Sequence, residues 1–193
     1  MSAAAWVITS SREHAYAHLR GQAGAGPENT EWIIRILASW LTGFGVLPAW
    51  LGLEPDEFGT MMDFYFKRNS VCGWGLPSIA ADFSRMLERE DLERYLLSHA
   101  APGHPEERRW ITRILVAGCL GQDHLWQDLG LWSRADLTSL IAFNFPGLHD
   151  LNIGNMRWKK FLYKKLCESE GIYVCRAPSC EVCVDYPICF SAE

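Results

Sequence analysis

Two stretches of this sequence repeat each other, and this repeat constrains the fold more than any other feature. Residues 32–53 read WIIRILASWLTGFGVLPAWLGL, and residues 110–131 read WITRILVAGCLGQDHLWQDLGL. The two stretches align without a gap at an offset of 78 residues and share a W-I-x-R-I-L opening and an L-G-L ending. Similarity at a fixed offset indicates a duplicated structural unit.

The first copy, taken alone, is apolar enough to be considered as a membrane span. The second copy argues against this, because it carries polar residues such as Asp123, His124 and Asp128 at the equivalent positions. A pair of membrane helices with so many polar side chains is implausible. We therefore interpret both copies as buried helices of a soluble bundle.

A second helix is predicted after each copy. The segments PDEFGTMMDFYF and RADLTSLIAFNFPG match when one residue of slippage is allowed, and their apolar residues recur at helical spacing. Asp56 or Ser133 would cap the starts of these helices. Third helices are predicted at about 78–97 and 155–168, and few stretches alternate as strands do.

We predict an all-α fold, an internally duplicated helical bundle followed by an irregular tail that contains four cysteines. The predicted organisation is an N-terminal segment with a loose RGQAGAGP linker (1–30), a duplicated domain (31–170, with units of about 31–108 and 109–170), and a cysteine-rich tail (171–193).

The amino-acid composition narrows the expected partners and compartment of the protein. The chain has 193 residues, of which 49% are hydrophobic, so it can bury a full core. Its formal net charge of -5 disfavours nucleic acid and anionic membranes as general partners. The start, MSAAAWVITSSREH, has no basic segment followed by a long apolar run, so we expect a cytoplasmic protein with reduced cysteines.

The C-terminal tail concentrates potential metal ligands. It contains Cys175, Cys180, Cys183 and Cys189, four of the seven cysteines, in a C-x4-C-x2-C-x5-C arrangement with two prolines. Clustered thiolates suit a soft metal centre. The first three share the spacing of plant-type iron–sulfur ferredoxins, and a tetrahedral zinc site is the direct competitor. Four reduced thiols without a metal are the third alternative.

Several histidines are weaker candidates. His124 replaces Val46 of the first copy, and a neutral imidazole there could complete a metal coordination sphere, although a hydrogen-bonded structural histidine is the alternative. His149 is a similar but weaker candidate for a metal ligand. His14 and His18 lie four residues apart on a possible first helix, without a third ligand nearby.

The other cysteines and the basic residues near the tail complete the set of candidates. Cys72, Cys119 and Cys167 are predicted to be small apolar fillers, and Cys167 is near enough to the tail to take part in cluster assembly. The predicted last helix carries Arg157, Lys160 and Lys164 on one face. These would attract an anion or an acidic partner, or would form an ordinary solvated surface.

The C-terminal part resembles a known family. The run MRWKKFLYKKLCESEGIYVCRAPSCEVCVDYPICF, preceded by HLWQDLGL and FNFPGL, resembles the NifQ family of molybdenum donors in nitrogenase cofactor assembly. The resemblance extends over most of the chain from about the first repeat onward.

This resemblance implies a function and a ligand set. It implies a protein that carries a molybdenum–iron–sulfur cluster on Cys175, Cys180, Cys183 and Cys189 and donates molybdenum for the iron–molybdenum cofactor. The implied partners are the cofactor-assembly proteins, namely the scaffold complex and the iron protein, together with molybdate or another molybdenum source. No catalytic motif is present, so we expect a carrier and not an enzyme. The alternative is a zinc-stabilised interaction or regulatory module.

Overall fold

The computed structural model describes residues 11–24, 26–67, 71 and 75–169, and this part of the chain is all-helical, as predicted. The α-helices are α1 (Arg12–Gln22), α2 (Thr30–Leu41), α3 (Pro55–Tyr65), α4 (Arg89–Ser98), α5 (Pro105–Gly118), α6 (Leu125–Asp128), α7 (Arg134–Asn144), α8 (Pro146–Leu151) and α9 (Trp158–Ser169). Two 3₁₀ turns cover Ala49–Gly52 and Phe83–Arg85. Among the described residues the one β feature is a bridge between Ala23 and Phe66.

The two repeated stretches are not continuous helices, which corrects our interpretation. In the first copy α2 ends at Leu41, and Gly43 and Gly45 then adopt left-handed φ angles of 78° and 82°. Glycine takes this conformation without the steric cost of a Cβ, so a turn replaces the helix. In the second copy α5 ends at Gly118, and the short α6 follows the turn. None of the described helices is long and apolar enough to cross a membrane.

The helices that follow the copies, α3 and α7, lie where the sequence pattern predicts them. Ser133 caps α7, because its hydroxyl accepts a 3.1 Å hydrogen bond from the Asp136 backbone N–H. Asp56, the other predicted cap, lies inside α3. The N-cap of that helix is Glu54, with Pro55 at the first helical position.

Two predicted helix starts and the predicted linker need correction. The helix predicted at 78–97 begins only at Arg89, because Asp82 caps a 3₁₀ turn that occupies part of the preceding segment. The helix predicted at 155–168 begins at Trp158, since Asn155 adopts a left-handed φ of 50°. The first three residues of the RGQAGAGP segment belong to α1, which runs to Gln22.

Contacts between the two copies are reciprocal. Arg35 of the first copy pairs with Asp136 on α7, and Arg113, its equivalent in the second copy, pairs with Glu57 on α3; both N–O distances are 2.5 Å. Each arginine therefore reaches across to the helix that follows the other copy.

The glycines of the two L-G-L motifs make a second reciprocal contact. Gly52 and Gly130 have φ angles of 84° and 72°. A Cβ on Gly52 would lie 2.6 Å from Ala117 Cβ, and one on Gly130 would lie 2.5 Å from Ser39 Cβ. Ala117 and Ser39 are equivalent positions of α5 and α2, so each glycine packs against the helix of the opposite copy.

Candidate metal site and its helical support

The four candidate ligands in the tail, Cys175, Cys180, Cys183 and Cys189, lie outside the residues that the structure describes, as does Cys72. Their spacing in the sequence fits an iron–sulfur or zinc centre, and their role as ligands stays a prediction. The structure shows how α9, the helix that precedes the tail in the sequence, is attached to the rest of the protein. The last described residue is Ser169, at the end of α9 and six positions before the first tail cysteine.

A buried ion pair fixes the beginning of α9 to the second copy of the repeat. Lys159 Nζ donates to the Asp128 carboxylate and, at 2.8 Å, to the carbonyl oxygen of Gly121. The side chains of Lys159 and Asp128 are only 10% and 1% exposed. Burial of two charges is costly unless each is paired and hydrogen-bonded, and here both conditions are met.

The turn around Gly121 is shaped to admit this carboxylate. A Cβ at position 121 would overlap the Asp128 carboxylate, so a glycine is required for the close approach. Burial raises the pKa of Asp128 above its ordinary value, while the hydrogen bond and the positive charge of Lys159 oppose that shift. The Asp128 backbone carbonyl also accepts a 2.9 Å hydrogen bond from Val46 N–H of the first copy.

Cys119 lies at the C-terminal end of α5 and is fully buried, as predicted for an apolar filler. Burial raises the pKa of its thiol from about 9 to about 12. A buried thiol with a raised pKa is a weak nucleophile, which agrees with a packing role for Cys119. Cys167, on α9, is partly exposed and forms no disulfide with another residue that the structure describes.

His124 is exposed and occupies the N-cap position of α6. Its backbone N–H donates a 3.3 Å hydrogen bond to Gln127 Oε1. The position thus has a structural function at the start of α6, and the proposed role of the imidazole as a metal ligand stays a prediction.

The remaining histidines do not assemble into a metal site within the described ranges. His149 Nδ1 lies 3.2 Å from Asp150 Oδ1, next to it in the sequence. His14 and His18 both lie on α1, which confirms that they share a helix. In the part of the chain that the structure describes, no group of three or more histidine, cysteine or carboxylate side chains is placed to hold a metal ion.

The basic residues of α9 fall on two sides of the helix. Arg157, immediately before α9, and Lys164 are exposed, and Lys160 is partly buried. Lys159 instead points into the protein and pairs with Asp128. The predicted basic face therefore has an exposed part, but the neighbouring Lys159 is buried.

Sequence reasoning missed the Lys159–Asp128 pair. The helical spacing of Lys159 could have indicated that it is buried. It lies three residues before Leu162 and seven before Leu166, both buried, so it belongs to the apolar stripe of α9. Asp128 offered a similar signal, since its equivalent in the first copy is the apolar Trp50.

Comparisons with known proteins identify the family. The NifQ family profile matches residues 32–191, most of the chain. The chain is 42% identical to the protein NifQ of Azotobacter vinelandii over 174 residues, which cover 86% of this chain and 89% of the relative. It is 34% identical to NifQ of Rhodobacter capsulatus, with coverage of 78% and 81%. It is 31% identical to NifQ of Klebsiella pneumoniae, with coverage of 83% and 97%.

The chain therefore belongs to the NifQ family, a group of accessory proteins of nitrogen fixation. The resemblance drawn from the tail and the R-W-K-K-F run is confirmed. No solved structure matches the chain significantly.

Proposed function

We propose that this protein is a metallocluster carrier. It would hold a molybdenum–iron–sulfur cluster as cargo on Cys175, Cys180, Cys183 and Cys189, and would donate molybdenum for assembly of the nitrogenase iron–molybdenum cofactor. The observation that carries the proposal is the four-cysteine tail in a chain that belongs to the NifQ family. Family membership supports a role in molybdenum handling, and the tail supplies the thiolates.

The chemistry of the tail supports a carrier. Thiolates bind iron and sulfide-bridged heterometals strongly, and their deprotonated form is favoured by the metal itself. A set of four thiolates within fifteen residues can hold a cluster without drawing ligands from the helical core. A cargo held in this way can leave while the helical body stays folded, which is what a donor requires.

The helical body supports the same proposal as a platform. The α9 helix connects the tail to the body, and the Lys159–Asp128 pair fixes the beginning of that helix. Arg157, immediately before α9, and Lys164, on α9, are exposed basic residues. Positive charge there favours encounter with an acidic partner.

The competing function is a zinc-stabilised interaction module, in which the tail would only hold the fold together. The metal and sulfide content of the purified protein, together with its colour, distinguishes the two functions. Purification of the full chain under anaerobic conditions, followed by iron, molybdenum, zinc and acid-labile sulfide analysis, should give a brown protein that contains iron, sulfide and molybdenum. A colourless protein that contains one zinc ion and no sulfide would establish the module instead.

A further inference from the structure

A histidine lies at the end of α4, the helix that packs against α9. His99 is the C-cap residue of α4 and is partly exposed. Its ring packs on the ring of Tyr95 with 4.6 Å between the centroids, and a Cβ on Gly147 of α8 would lie 3.6 Å from its Cδ2. The imidazole is therefore held at the surface between α4 and α8.

The backbone of α4 determines which ring nitrogen of His99 carries the hydrogen. His99 Nδ1 lies 2.9 Å from the Tyr95 carbonyl oxygen, which can only accept a hydrogen bond. Ser98 Oγ lies 3.0 Å from the same nitrogen and uses its own hydrogen to donate to that carbonyl at 2.7 Å. Nδ1 is therefore the protonated nitrogen, and the lone pair of the neutral imidazole lies on Nε2.

The Nε2 atom of His99 is available to a ligand. Within the part of the chain that the structure describes, the hydrogen bonds of this imidazole all involve Nδ1. Metal-binding histidines have the same arrangement, because one ring nitrogen donates to a backbone carbonyl or a carboxylate while the other binds the metal. The ring is thus oriented before a metal arrives, which lowers the entropic cost of binding.

The end of the helix that precedes the tail lies close to this imidazole. Glu168, in the last turn of α9, interacts electrostatically with Tyr95, the residue on which His99 packs. Cys175 follows Ser169, the end of α9, by six positions in the sequence. Six residues can span up to about 20 Å, so the first tail cysteine is within reach of His99.

We propose that His99 is a metal ligand, and that its Nε2 binds the metal cargo together with the cysteine thiolates of the tail. The described residues contain no complete ligand set of their own, so the histidine would act only with the tail. Histidine and cysteine ligands occur together in Rieske iron–sulfur centres, so the two ligand types are compatible in one cluster. This inference rests on the proposed function and adds to it a ligand from the surface of the helical body.

The test uses the full chain, purified under anaerobic conditions, and measures its affinity for iron and molybdenum by competition with a soluble chelator. His99→Ala should lower the affinity for at least one of the two metals by at least about tenfold, because loss of even an outer partner of a ligand costs about 10–100-fold. Nitrogen hyperfine couplings in the pulsed EPR spectrum of the wild type should disappear in this variant. His104→Ala is the matched control, since His104 also flanks a helix, at the start of α5, and it should behave like the wild type.

A second variant separates metal binding from a structural role of the side chain. His99→Gly should keep the wild-type far-UV circular dichroism spectrum, because glycine is well tolerated at the end of a helix. It should lose metal affinity as His99→Ala does, and added imidazole should restore that affinity. A structural histidine would not be replaced by free imidazole in this way.

Wild-type metal affinity with unchanged nitrogen couplings in His99→Ala would overturn the inference, as would equal losses in His99→Ala and His104→Ala. Failure of the proposed function gives a different result, namely a colourless wild type that contains zinc and no sulfide. In that case the nitrogen-15 NMR signal of His99 Nε2 is recorded with and without zinc. A shift on removal of zinc would keep His99 as a metal ligand, and an unchanged signal would overturn the inference. A wild type that binds no metal would contradict both proposals.

Discussion

The two copies of the repeat have kept the same framework contacts but differ in the chemistry of one turn. The reciprocal arginine pairs, Arg35–Asp136 and Arg113–Glu57, have equal distances. A further reciprocal contact lies at equivalent positions in the two halves, but different side chains form it. Asn29 and Asn144 exchange amide hydrogen bonds of 2.7 and 3.0 Å, and at the equivalent positions Tyr65 donates to Glu107 at 2.5 Å.

The differences are concentrated between Cys119 and Asp128. There the second copy has Cys119, His124 and Asp128 where the first has Leu41, Val46 and Trp50. Asp128 accounts for one of these changes, because it binds Lys159 of α9, the helix that leads to the tail. The comparison teaches that the framework is shared, whereas only the second copy has a buried carboxylate that attaches α9, the helix that precedes the cysteine tail.

The largest expected effect is on that attachment point. Lys159→Met leaves the Asp128 carboxylate buried without its partner, so the free energy of unfolding should fall by about 3–5 kcal/mol. Urea unfolding followed by far-UV circular dichroism measures this loss. Lys164→Met, on the exposed side of the same helix, is the control and should unfold like the wild type.

A double variant sharpens this prediction. Lys159→Met combined with Asp128→Leu removes both charges and should recover most of the lost stability, since a buried ion pair is often replaced by apolar residues at little cost. If Lys159→Met were as stable as the Lys164→Met control, the pair would not be the attachment of α9.

A smaller and equal effect is expected at the two repeat glycines. Gly52→Ala and Gly130→Ala each place a Cβ at a left-handed φ and within 2.6 Å of a neighbouring Cβ. Each should lower the free energy of unfolding by about 1–3 kcal/mol. Gly59→Ala is the control, because Gly59 lies in α3 with open space around it and should be neutral or stabilising. Loss of stability in only one of the two variants would show that the copies do not share a framework.

The sequence predicted the framework better than the site because framework residues follow a periodic pattern. Ser133 and the apolar stripe of α7 define that helix by local rules, and the structure confirms them. The apolar pattern continues through Gly43 and Gly45, so it did not show that the helix ends after Leu41. The left-handed backbone conformation of the two glycines ends the helix, and a pattern of apolar residues does not report it. Lys159 was missed because a charged residue is assigned to the surface unless its buried partner, here 31 residues away, is known.

The smallest expected effect on stability is at His124. If its imidazole serves the heterometal, His124→Ala should lower the molybdenum-to-iron ratio of the anaerobically purified protein and leave the melting temperature nearly unchanged. Val46→Ala, at the equivalent position of the first copy, is the control and should keep the wild-type ratio. An unchanged ratio in His124→Ala would return the residue to its structural position at the N-cap of α6.

The most direct test concerns the separation of cargo site and helical body. Cys175, Cys180, Cys183 and Cys189 are each replaced by alanine in the full chain, and bound iron and molybdenum are measured together with the far-UV circular dichroism spectrum. Because the described helices have their own core, the account predicts that each variant loses most of its metal and keeps the wild-type helical signal. Loss of the helical signal together with the metal, or retention of the metal in all four variants, would contradict it.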